Sequence, residues 1–150
     1  FRQWQPEESL MKILLPVDGS PHSDRATRHV IALLQGCSGH TVQLLNVQEP
    51  IDAPEVRGHM PAGEIEAMQE TRGGDALASA RILLDAAGVA YTPNVLIGPL
   101  AETIHQFAAD QACDKIVMGT RGLGAIGGAL LGSVSSELLR LASVPVTLVK

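Results

Sequence analysis

Apolar residues follow two alternating rhythms along this chain. Short, nearly continuous apolar runs stand at residues 11–17 (MKILLPV), 41–47 (TVQLLNV), 90–96 (AYTPNVL), 115–118 (KIVM) and 145–149 (PVTLV). The first run predicts a strand buried on both faces, and the others read as the second to fifth strands. Pro16 cannot donate to a ladder and is expected at the C-terminal end of the first strand. Between the runs the spacing becomes helical. Ala26, Val30, Leu33 and Leu34 line one face of a first helix, opened by Ser20-Pro21 as N-cap and first-turn proline and stopped at Gly36. Ile65, Met68, Leu77, Ala80 and Leu84 predict a second helix over 64–87, with Gly73-Gly74 as a weak point at which it can bend. Leu100, Ile104, Phe107 and Ala108 line a third helix, and a fourth is expected over 133–142.

Strand and helix alternate without hairpin signals, which predicts an α/β domain: a doubly wound parallel sheet of five strands with four helices on its two faces. Ligands of such sheets bind beyond the carboxyl ends of the strands, where the strand order reverses. The length of 150 residues suits one domain, taken as residues 11–150. Residues 1–10 are polar, contain a proline and precede Met11. They read as an appended remnant or an upstream extension and are set apart from the fold argument.

Composition removes several function classes. A net charge of -5 with no Lys/Arg cluster argues against binding to a nucleic-acid backbone or an anionic membrane. The uncharged stretch at residues 122–136 is glycine-rich and shorter than the roughly 20 apolar residues a bilayer span needs. Cys37 and Cys113 lie far apart with no metal-ligand spacing, which suits a reducing cytoplasm. The five histidines show no HExxH-type spacing, and no serine sits in a GxSxG elbow.

The unusual segment is 119–133, GTRGLGAIGGALLGS, which follows a predicted strand and opens a predicted helix. Glycines let backbone N–H groups approach an anion, and a helix N-terminus adds partial positive charge. The segment therefore reads either as a phosphate cradle or as a loop whose glycines ease helix–strand packing. Walker A chemistry is excluded, because no lysine stands between Lys115 and Lys150. Gly122, Gly124 and Gly127 fit GxGxxG, but they follow the fourth strand, and no acidic residue lies beyond Glu137 to hold a ribose. What remains is Gly119-x2-Gly122-x9-Gly132-Ser133.

That spacing resembles the G-x2-G-x9-G-[ST] signature of the ATP-binding branch of the universal stress protein family. ILLPVDGSPHS, IVMGTRGLG, LLGSVSSELL and VPVTLVK resemble the same family in the same order. The resemblance implies a Rossmann-like sheet of order 3-2-1-4-5 and an adenine nucleotide, ATP or AMP/ADP, with Mg2+ accompanying the phosphates. It implies contacts from Pro16, Val17 and Asp18 to the adenosine part and from the Val47 backbone to adenine. Met118, Gly119, Arg121 and Gly122 would border ribose and phosphates, while Gly132, Ser133 and Val134 would hold the phosphates. For Asp18, turn or capping chemistry before Ser20 is an equally open role. The loop 48–63 matches no pattern, and no contact is expected from it. A homodimer paired through residues Val144 to Val149 is also implied. Three readings of function follow: a nucleotide-dependent dimeric switch with little turnover, a slow ATPase or phosphotransfer enzyme, and a stress-induced interaction scaffold.

Overall fold

The computed structural model describes residues 10–122 and 130–150. The first nine residues of the expected extension, and Gly124 and Gly127 of the glycine-rich segment, lie outside the described residues. Five strands, β1 (Lys12–Pro16), β2 (Thr41–Gln48), β3 (Tyr91–Ile97), β4 (Lys115–Gly119) and β5 (Val146–Val149), form one sheet in the order β3-β2-β1-β4-β5. Every pairing is parallel, with Ile13 opposite Val42 on one side and Lys115 on the other. Successive side chains of β1 therefore enter opposite layers. Ile13 and Leu15 pack with α1 (Pro21–Leu34) and α3 (Ala62–Ala86). Leu14 packs with α4 (Leu100–Asp110) and α5 (Ser133–Leu141). The layers are aliphatic, as a domain whose only described aromatics are Tyr91 and Phe107 requires.

The strands and the four long helices fall where the spacing predicts, within one to three residues at their ends. The sequence pattern gives four helices, and five are present among the described residues. The addition is α2 (Pro54–Arg57), a single turn with Pro54 at its start and no buried residue. A four-residue helix that buries nothing leaves no periodic signal.

Helix α1 starts as its sequence indicates: the Ser20 side chain accepts from Ser23 N, and Pro21 opens the first turn. Helix α3 runs unbroken through Gly73-Gly74. The two glycines have opposite circumstances. A Cβ at Gly73 would collide with the methyl groups of Val95 on β3, whereas one at Gly74 would meet open space. Gly73 is thus a point of close approach between α3 and β3, and Gly74 only weakens the helix. Gly74→Ala is expected to stabilise the domain by about 0.5–1 kcal/mol through helix propensity. Gly73→Ala is expected to destabilise it by about 1 kcal/mol, since overpacking of about 1–3 kcal/mol outweighs the same propensity gain. Urea midpoints of the two variants, moving in opposite directions, check this. Both cysteines are free, with Cys37 exposed and Cys113 buried. Burial pushes the Cys113 thiol above its ordinary range.

Candidate functional site

Beyond the carboxyl ends of β1 and β4, where the strand order reverses, lies a cavity of about 540 Å3. All eleven residues singled out in the sequence line it. Pro16 ends β1, with Val17 and Asp18 in the turn that follows. Val47 comes from the end of β2. Met118 and Gly119 end β4, with Arg121 and Gly122 just after it. Gly132, Ser133 and Val134 bring in the N-terminus of α5. Residues separated by more than a hundred positions thus meet because parallel strands deliver all their carboxyl ends to one side.

The α5 terminus is pinned in place from β4. Gly132 N donates to Thr120 O at 2.7 Å. The buried Ser135 Oγ lies 3.1 Å from the carbonyl oxygens of both Gly119 and Thr120 and donates toward them. Gly132 is the N-cap, so no side chain caps the helix. The first-turn N–H groups of Ser133, Val134 and Ser135 consequently have no capping acceptor, and with the helix dipole they form a fixed, partly positive anion site.

Asp18 occupies the opposite lip. Its Oδ1 accepts from Ser20 N at 3.0 Å and from Ser23 Oγ at 2.7 Å, and its own N–H donates to Ser23 Oγ at 3.0 Å. These bonds give Asp18 the turn role that the sequence left open. Its Oδ2 lies against Gly122, where any Cβ would collide with it, so a side chain at position 122 would close this side of the cavity.

Eight further wall residues carry no motif. Leu45, Leu100, Ile104 and Leu131 make part of the wall apolar; the helical spacing shows Leu100 and Ile104 only as part of a core stripe. Ser23, Asn46, Gln48 and Ser135 are polar wall residues. Gln48 belongs to the segment 48–63 from which no contact was expected. Asp18 and Arg121 are the only charged residues on the wall among those described. Glu137, whose carboxyl the neighbouring Arg140 holds below its usual range, lies on α5 away from the cavity. No group of three His, Cys, Asp or Glu side chains among the described residues could hold a metal ion. Nor is any described helix long and apolar enough to cross a membrane.

A model of the universal stress protein family matches residues 10–150. The chain belongs to the universal stress protein family. It is 37% identical over 139 residues to a universal stress protein of Thermus aquaticus, covering 92% of this chain and 97% of that one. The solved structure of hypothetical protein MJ0577 superposes with a TM-score of 0.76 at 25% identity, covering 93% of this chain and 95% of the other. A universal stress protein solved in complex with cAMP shares the fold at a TM-score of 0.69 and 22% identity, covering 93% of this chain and 97% of that one.

Proposed function

We propose that this universal stress protein binds adenine nucleotide, ATP in the first place, as a regulatory module with little turnover. The observation that carries the reading is the uncapped N-terminus of α5. It borders, with Gly119 and Gly122, a cavity that Leu45, Leu100 and Ile104 also line. The helix N–H groups suit phosphates, and the apolar side chains suit a base. The cAMP complex of a protein with the same fold supports the choice of an adenine nucleotide. In this assignment Ser133 and Val134 face the phosphates through their N–H groups, with Arg121 as the cation beside them. Pro16, Val17, Asp18, Val47 and Met118 face the nucleoside. Mg2+ would be held by the phosphates and water, since Asp18, the only carboxylate on the described wall, faces the nucleoside and accepts from Ser20 and Ser23.

Low turnover follows from the same inventory. Phosphoryl transfer needs a group that orients the attacking water besides the charges on the phosphates. With Asp18 engaged by Ser20 and Ser23, the described wall offers no second acid or base. ATP incubated with stoichiometric protein is expected to be recovered intact, at fewer than about one turnover per hour, a barrier beyond the range of ordinary enzymes. Steady release of ADP that Arg121→Ala abolishes would instead establish the slow ATPase. The switch further requires a surface that reads the nucleotide. Strand β5 is an edge of the sheet with half-buried Val146, Leu148 and Val149. Residues Val144 to Val149 are the segment we assign to pairing with a second copy. A cytoplasmic site of action completes the proposal.

A further inference from the structure

The ladder between β1 and β2 ends irregularly, and the irregularity falls on the cavity. Val17 N donates to Leu45 O at 2.8 Å. Continued by one step, a parallel ladder would have Val47 N donate to Val17 O. That bond is absent. The Val17 carbonyl accepts instead from Asn46 Nδ2 at 2.8 Å. Asn46 is buried, 3% exposed, in the layer that Leu44 helps to fill. Its Oδ1 accepts from Gln48 Nε2 at 2.6 Å, which fixes the amide with its donor toward Val17. Gln48 O accepts from Gly98 N at 3.0 Å, so Gln48 turns its backbone groups toward the β3 side. Backbone direction alternates along a strand. Val47 therefore turns its N–H and C=O the other way, past the end of β1, where the cavity opens.

We propose that Asn46 is a positioning residue for base recognition. By taking the Val17 carbonyl it withholds that acceptor from Val47, whose N–H and C=O then form a donor–acceptor pair on the cavity wall. The inference rests on the nucleotide reading above and gives it a selectivity. Adenine presents N1 as an acceptor beside an N6 amino donor, which matches one residue's N–H and C=O. Guanine presents the reverse, an N1–H donor beside the O6 acceptor, and would set donor against donor and acceptor against acceptor. Unpaired polar groups at a site built for hydrogen bonds are strongly penalised, so a preference for ATP over GTP of at least about thirtyfold is expected.

The test has two arms. In ligand-free wild-type protein, amide exchange followed by NMR should find the Val47 N–H exchanging at least about tenfold faster than Leu45 and Gln48, its ladder-bonded neighbours. Equal protection of all three would overturn the proposal without reference to any nucleotide. In the second arm, Asn46→Leu removes the donor while keeping a buried side chain of similar volume. The folded variant should bind ATP about tenfold more weakly, with its ATP-to-GTP affinity ratio falling toward one, because Val47 N–H is drawn to Val17 O. A merely structural role would leave that ratio unchanged. A folded Asn46→Leu variant with the wild-type ratio overturns the assignment to Asn46. Failure of wild-type protein to bind ATP overturns the nucleotide reading itself, and the first arm separates the two because it does not depend on ligand.

Discussion

Gly132→Val is expected to weaken ATP binding about a hundredfold while leaving the domain folded. Two facts separate those outcomes. The Gly132 backbone, at φ -71 and ψ 166, is extended and open to any residue. A Cβ there would lie 3.5 Å from Arg121 Cα and Thr120 O, in ordinary contact. The fold therefore has no need of glycine at this position. The proposed ligand does, because the branched methyl groups of valine would stand where the phosphates approach the N–H groups of Ser133 and Val134. Losing one or two charge-assisted hydrogen bonds at about 1.5–3 kcal/mol each gives the hundredfold figure. Isothermal titration of both proteins, with circular dichroism to establish folding, reads the effect. Equal affinity in a folded variant would remove α5 from the phosphate site.

Gly119→Ala should have the opposite character, costing stability rather than affinity alone. Gly119 ends β4 directly beneath the start of α1. A Cβ there would lie 2.7 Å from His22 Cβ and 2.9 Å from the His22 carbonyl carbon. The second contact is backbone, so no side-chain rotation relieves it, and α1 would have to back away from the sheet. Such overpacking costs about 2–3 kcal/mol. For a chain of this size that is a fall in Tm of about 6–10 °C. Urea unfolding without nucleotide should show a lower midpoint at an unchanged m-value. A loss below about 0.5 kcal/mol would mean that α1 accommodates the methyl group freely. The two glycines of one motif thus have different reasons to be glycine: Gly132 for an approaching ligand, Gly119 for an approaching helix.

That difference shows what the amino-acid pattern can and cannot carry. The order of strands and helices is legible because apolar runs and 3.6-residue spacing are local properties. The eleven motif residues converge on one cavity because their spacing resembles a family with a known arrangement, and a parallel sheet brings all its carboxyl ends together. Helix α2 escapes notice because one turn that buries nothing has no period. Gly73 reads as a defect in α3, since its reason for being glycine, Val95, lies on another strand. Asn46 reads as an ordinary polar position in a strand. Its partner Val17 is 29 residues away, and only the broken ladder reveals what the amide does. Ser135 likewise reads as one serine among several, until the structure sets its hydroxyl on the carbonyls that end β4.

The proposed nucleotide site lies at the junction of β1, β4 and α5. Calorimetric titration of nucleotide-stripped protein with magnesium-ATP tests it most directly. Saturable binding of about one ATP per chain, lost in Gly132→Val, is the predicted result. A folded sample that takes up no ATP at millimolar concentration, where ΔG° of binding would be weaker than about -4 kcal/mol, would contradict it.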